Sequence, residues 1–405
     1  MNRNQRRVVI TGIGVVSALG NTPDTLFANL LAGKSAVRMM ADWPHPALAA
    51  PLAELPDAAD IPRSMRRTMG NVALYCAAAG KAAAQHAGIT EFPDGRTLCA
   101  AGSTMGSSLV FEETFNTLLL GKGMADVSPM NFFKCASHTA AYNMANVLGI
   151  DAMTYSPAAA CASGLQAVGL ASTLIAAGEA DVAVAGGSEE LSHMVSESFV
   201  LMDAHASVLA GEAVQEQPRP FDSARRGLVC GEGAAVFVLE EYEHAKRRGA
   251  DILAEISGYA TNRGRENVTQ SDSGSVIKCF ELLRGKCDIP PLEQGFINAH
   301  ATGTLQGDRS EAEAVRRFFG GNIPVSSLKG NIGHTLGAAG AIELAVSVEM
   351  LRRNIILPTA NLCSPAAECS GIDHVSAARE KKCSFFIKNS FAFGGINAVM
   401  MCRKI

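Results

Sequence analysis

At 405 residues, with 48% hydrophobic and 18% charged side chains, the chain exceeds the usual span of one core and is poorer in charge than the average of about a quarter. A net charge of −4 with no chain-wide basic excess excludes a dedicated nucleic-acid binder. Eleven cysteines, an odd number without a C-x-x-C pair, exclude a secreted disulfide scaffold and give no zinc spacing, which indicates a reduced, cytoplasmic chain without a metal site.

The basic stretch Arg3 to Arg7 ahead of "VVITGIGVVSALG" imitates a secretory leader, but the β-branched run broken by Gly12 and Gly14 predicts a strand over 8–16 and a glycine turn. Thr22 is an N-cap with Pro23 in the first turn of a helix that runs to Gly33. Val37 to Pro62 is an irregular excursion, and a long helix is expected from about Arg63 to Ala87. Leu98 to Gly102 is a buried strand leading into "AGSTMGS". After a strand at Met153 to Tyr155, the run "SPAAACASGLQAVGLA" carries Cys161 into the first turn of a helix that starts near Ser163. Ala158 to Gly178 holds no charge, yet its Ala, Gly, Ser and Thr suit a helix packed inside protein better than a membrane span. Ala180 to Gly187 is another strand, and Gln217 to Glu240 is a loop that enters one. Short apolar strands separated by helices predict parallel βα units.

The second half repeats this grammar. Ile252 to Tyr259 reads as a strand and Ser273 to Leu283 as a helix. Gly295 to Ala299 is a strand that ends in "HATGT". "SSLKGNIGHTLGAAGAIELAVSVEML" stands where "SPAAACASGLQAVGLASTLI" stands in the first half, and "IKNSFAFGGINAVMMCR" closes with strand, glycine turn and strand. The expectation is an internal duplication: residues 1–250 carry the cysteine, and 251–405 carry two histidines.

Cys161, His300 and His334 all fall at equivalent strand ends, where sites gather in α/β sheets. A cysteine at a helix start feels unpaired N–H groups and a positive dipole end, which favour thiolate. One buried cysteine or one loop histidine is ordinarily structural. A cysteine in this setting together with two histidines in small-residue turns points instead to nucleophilic catalysis. Lys329 lies five residues before His334, and Asp308 and Glu311 follow His300 in a stretch that also suits a helix start.

From residue 6 to 397 the stretches "RRVVITGIGVVSALG", "ACASGLQA", "RPFDSARRGLVCGEGAA", "NAHATGT…GDRSEAEAV", "KGNIGHTLGAAGA" and "NSFAFGGIN" appear in one order. In that set the chain resembles the elongating β-ketoacyl carrier-protein synthases of type II fatty-acid and polyketide assembly, in the thiolase superfamily. The resemblance implies a five-layered αβαβα sandwich of duplicated halves. It implies decarboxylative Claisen condensation of an acyl group on Cys161 with malonyl-acyl carrier protein. His300 and His334 would hold the malonyl thioester carbonyl, and Lys329 would orient them, with Glu311 as its partner and Asp308 in support. The N–H groups of Cys161 and Phe393 would form an oxyanion hole, with Gly394 and Gly395 letting the turn approach. Thr302 and Thr304 would contact pantetheine. No cofactor is implied beyond the carrier's phosphopantetheine. The partners implied are the acyl carrier protein and a second subunit, either a copy of this chain or a chain-length factor. The basic stretch that relatives use for carrier docking falls on Arg63, Arg66 and Arg67.

The sequence departs from the family pattern in three places. Ala159 stands where threonine is usual, "RRGL" puts Leu228 where a gating phenylalanine is frequent, and "HATGT" and "NIGHT" lean towards polyketide-type synthases. A non-catalytic chain-length factor would lack the cysteine that is present here. A thiolase would carry a second cysteine in the final glycine turn, which here reads "FAFGGIN", and an initiating synthase would place asparagine at His334.

Overall fold

The computed structural model describes residues 6–56, 58–121, 123–264 and 272–405. Arg3 and its neighbours before Arg6 lie outside them. The principal sheet contains β1 (Val8–Ser17), β2 (Thr97–Gly102), β3 (Met153–Tyr155), β4 (Val182–Glu189), β5 (Gly233–Glu241), β6 (Ala254–Arg263), β7 (Gly295–Asn298), β8 (Pro324–Ser326), β9 (Asp373–His374), β10 (Phe385–Ala392) and β11 (Ile396–Arg403). Their spatial order is β9-β8-β7-β10-β11-β6-β1-β5-β4-β2-β3.

Pairing in the sheet is mixed, which corrects the expectation of wholly parallel units. β1 runs antiparallel to β5, and β5 antiparallel to β4, before β4, β2 and β3 align in parallel. In the second half β6 is antiparallel to β11 and β11 to β10, before β10, β7 and β8 align in parallel. A strand buried on both faces reads as a continuous apolar run in either direction, so the local pattern does not reveal its sense. The two series join where Val8, Val9 and Ile10 of β1 face Ile256, Glu255 and Ala254 of β6.

Helix α1 (Asn71–His86) lies directly on β1. A Cβ at Gly14 would come within 1.9 Å of the Ala79 carbonyl oxygen, so Gly14 serves close packing within the strand and not a turn. The expected long helix from Arg63 is divided: Arg63–Arg66 makes a single turn, and α1 starts afresh after Gly70, which is extended at φ −83° and ψ 178°. Thr22 caps its helix as expected, its hydroxyl accepting from the Thr25 N–H at 3.1 Å.

Helices α2 (Ser163–Ala177) and α5 (Ala339–Arg353) pack against each other and share one apolar core with strands of both halves. Between them in sequence, α3 (Ser273–Arg284) and α4 (Leu305–Phe319) pack together over a separate core. The segment Ala160–Ala177 has the length and hydropathy of a membrane span, yet 61% of it is buried inside the protein as core helix. All eleven cysteines are free, and only Cys363 is exposed.

Candidate active site

Cys161, Leu228, His300, Thr302, Thr304, His334 and Phe393 line one cavity of about 510 Å³. Cys161 sits in a 3-10 turn (Ala160–Ala162), one turn earlier than the helix start expected for it. Its carbonyl accepts from the Ser390 hydroxyl of β10 at 3.0 Å, which ties the turn to the second half. Burial pushes the Cys161 thiol up to about 12, against the opposing charge of Lys329, with Glu189 and Cys230 adding to the rise. Desolvation is the largest cause of that rise, and it favours the thiol over the thiolate.

His300 follows the end of β7. Its N–H donates to Glu311 at 2.9 Å and that of Ala301 at 2.7 Å, while the Asn389 side chain donates to the same carboxylate at 2.8 Å. His334 is held between halves: its N–H donates to the Val229 carbonyl at 2.7 Å, and its carbonyl accepts from the Gly231 N–H at 2.9 Å. The two rings meet edge to face with centroids 5.2 Å apart. Burial lowers both imidazoles well below the usual histidine value, with Lys329 next in effect, so both are neutral at pH 7. Their Nδ1 atoms have no protein partner among the described residues, and each neutral ring has one N–H to offer.

Lys329 is fully buried behind this pair and bonds Glu343 Oε1 at 2.5 Å. That corrects the pairing expected with Glu311, whose carboxylate is taken up by the His300 loop and Asn389. Asp308 accepts from the N–H groups of Thr302 at 2.9 Å, Gly303 at 3.1 Å and Phe221 at 2.7 Å, and burial raises it to about 7. The Thr302 and Thr304 hydroxyls lie 3.0 Å apart on the cavity wall.

The turn Phe393–Gly395 joins β10 to β11, with Gly394 and Gly395 at φ 86° and 71°, a region costly for other residues. Phe393 stacks on Phe199 with centroids 5.7 Å apart, and Leu228 packs in the same cluster as Cys161. Arg63, Arg66 and Arg67 do not line the cavity; all three are exposed on or beside the single-turn helix.

Beyond the expected residues, Phe199 lines the cavity, and Glu343, Lys388 and Glu189 are buried around it. For Glu343 and Lys388 a sequence signal exists, namely a single charge inside an apolar helix or strand, which demands a partner when buried. Glu189, raised by burial to about 7, accepts from the N–H groups of Thr104 at 2.7 Å and Gly337 at 3.1 Å.

Residues 5–245 match the family model "Beta-ketoacyl synthase, N-terminal domain", and 253–363 match "Beta-ketoacyl synthase, C-terminal domain". The chain is 34% identical to 3-oxoacyl-[acyl-carrier-protein] synthase 1 of Haemophilus influenzae, over 98% of this chain and 99% of that protein. It is 35% identical to synthase 2 of Vibrio harveyi, over 99% of both. The crystal structure of a beta-ketoacyl synthase from Burkholderia phymatum matches with a TM-score of 0.93 at 39% identity, over 99% of this chain and 100% of that one. The ishigamide ketosynthase/chain length factor matches with a TM-score of 0.91 at 27% identity, over 99% and 100%.

Proposed function

The chain belongs to the β-ketoacyl synthase family, and on that premise we propose that Cys161, His300 and His334 carry a decarboxylative condensation on carrier-bound substrates. The reaction class is that of its full-length relatives, the 3-oxoacyl-[acyl-carrier-protein] synthases. The observation that carries the assignment is the convergence of the thiol and the two neutral imidazoles on one cavity.

Cys161 attacks the acyl thioester, its proton passes to the departing pantetheine sulfur, and the acyl group rests on Cys161. Malonyl carrier then enters with its thioester oxygen at the N–H groups of His300 and His334. As the carboxylate leaves as CO₂, negative charge grows on that oxygen, and fixed donors in a dry site lower the barrier. The resulting enolate attacks the acyl-cysteine carbonyl, whose oxyanion faces the N–H groups of Cys161 and Phe393. Collapse frees the Cys161 sulfur, which takes up a proton, and releases a 3-oxoacyl chain longer by two carbons.

Lys329 acts through Glu343 behind the histidines. Asp308 and Glu311 hold the backbone that presents Thr302 and His300, and Thr302 and Thr304 meet the pantetheine arm. The repeated pairing series supports two halves, 1–250 and 251–405, in a five-layered αβαβα sandwich with α2 and α5 as the middle layer. Edge strand β3 has one side without a strand partner among the described residues, which supports pairing with a second copy or a paralogous chain-length factor. The test is intact-mass detection of the acyl-enzyme with separate measurement of CO₂ release. Cys161→Ala is expected to lose acylation, and His300→Ala and His334→Ala to acylate yet release little CO₂; acylation of the Cys161→Ala protein would refute the assignment.

A further inference from the structure

Lys388 is a buried charge that these steps leave unused. It lies in β10, fully buried, beside the equally buried Asn298 of β7. Its Nζ sits 2.5 Å from Glu343 Oε2, while Glu343 Oε1 holds Lys329 at the same distance. One carboxylate is thus shared by two ammonium groups. The Lys388 ammonium also donates to the carbonyl oxygens of Asn389 at 2.6 Å and Ala299 at 3.4 Å. Ala299 directly precedes His300, and Asn389 leads along β10 to Phe391, whose ring meets that of His300 at 5.8 Å. Two buried cations on one anion cost more desolvation than packing returns, so the cluster is not explained as a stabilising device.

We propose that Lys388 is a second positioning residue for decarboxylation: its ammonium clamps the strand end bearing His300 to the strand bearing the Phe393 turn and, with Lys329, keeps positive charge behind the two imidazoles. This rests on the reading that His300 and His334 receive the thioester oxygen. The charged and titratable groups facing Lys388 are Glu343 from α5, Glu311 from α4, Lys329 from the short helix Lys329–Ile332, and the two histidines from their loops. With Lys388 protonated, Lys329 and Lys388 offset the carboxylates of Glu343 and Glu311; with it neutral the carboxylates are in excess, which in a low-dielectric site opposes the negative charge that appears as CO₂ departs. Burial lowers Lys388 to about 8, so that offset is lost as the pH rises through this value.

The experiment follows CO₂ release from malonyl carrier and alkylation of Cys161 by iodoacetamide from pH 6 to 9.5, in wild type, Lys388→Met and Lys388→Gln. The wild type is expected to lose CO₂ release as pH rises through about 8. Both variants should release CO₂ about tenfold more slowly at pH 7, less than the roughly hundredfold or more lost with a donor that touches the oxyanion, lack that alkaline fall, and alkylate within about twofold of wild type. Variant profiles that are merely scaled copies of the wild-type profile would overturn the proposal. If neither variant folds, the wild type decides alone: no alkaline fall in CO₂ release overturns it. Unimpaired CO₂ release in His300→Ala and His334→Ala would sink the histidine reading and this inference with it, whereas impaired histidine variants beside an unchanged Lys388 profile sink this inference alone.

Discussion

Ala160 and Leu336 hold the same unusual backbone conformation, φ 44° and 47°, each at the head of a 3-10 turn that runs into a fifteen-residue helix. The first turn carries Cys161, and the second places Gly337 in the matching position. Non-glycine residues in the left-handed region cost on the order of 1–3 kcal/mol, so the chain meets this cost twice, once at each of the two turns. At Ala160 the sharp entry turns the cysteine into the cavity.

Ala160→Val is expected to destabilise the protein by about 2 kcal/mol and to abolish acylation, because a branched side chain is poorly tolerated at positive φ. Ala160→Gly should change stability by less than about 1 kcal/mol, since relief of strain is offset by a freer unfolded chain. Denaturant unfolding beside intact-mass acylation measures both; an Ala160→Val protein with wild-type stability would show that the turn is not strained.

The three side chains proposed to react were legible because each stands in a turn framed by glycine, alanine or serine, where a polar or thiol side chain has no packing reason to be. Lys329 was legible, but its partner was not. Glu311 lies near His300 in sequence, while Glu343 is fourteen residues beyond Lys329 on an apolar helix, and only the packing of α5 brings the two together. Lys388, a single lysine in an apolar strand, signals a buried partner, but the strand pattern does not name Glu343 on α5 as that partner. Strand sense failed for a related reason: β1 meets both β5 and β6 antiparallel through long-range pairing that local pattern does not encode.

Both histidines are held below the ordinary value by burial and then by Lys329, so neither takes a proton in the folded state as pH falls through 6.5. The unfolded chain does. Unfolding therefore takes up protons on the acid side, and this contribution to stability is present above about pH 6.5 and lost below it. His334→Asn should show a smaller drop in Tm than wild type between pH 7.5 and 5.5. CO₂ release by the wild type should show no inflection near 6.5. Equal drops in Tm for the two proteins would mean that His334 titrates normally in the fold.

Leu228 is almost fully buried against the Cys161 cluster, and Phe199 and Phe393 already stack close by. Leu228→Phe adds an aromatic ring to a packed wall at a cost of about 1–3 kcal/mol. It is expected to shift the preference between polyene-like and saturated acyl carriers several-fold towards the saturated chain, whose single bonds can bend around the ring. Competition between the two carriers gives the ratio directly, and an unchanged ratio would place selectivity elsewhere on the cavity wall.

A chain of net charge −4 does not draw an acidic carrier by overall attraction, so a local basic patch is required. Arg63, Arg66 and Arg67 are exposed, and none makes an ion pair among the described residues. Their helix is a single turn, which removes the dipole penalty that a long helix would have imposed and leaves three unpaired guanidinium groups together on the surface. Such a patch acts mainly on encounter rate and is screened within about 10 Å at 0.1 M salt. Arg63→Glu with Arg67→Glu is therefore expected to raise the KM for acyl carrier about tenfold at low salt, with the difference shrinking towards unity at 1 M. Alkylation of Cys161 by a small reagent should be unchanged, because the substitutions lie outside the cavity. If the double variant processes carrier-bound substrate at the wild-type rate in low salt, the carrier docks on another face.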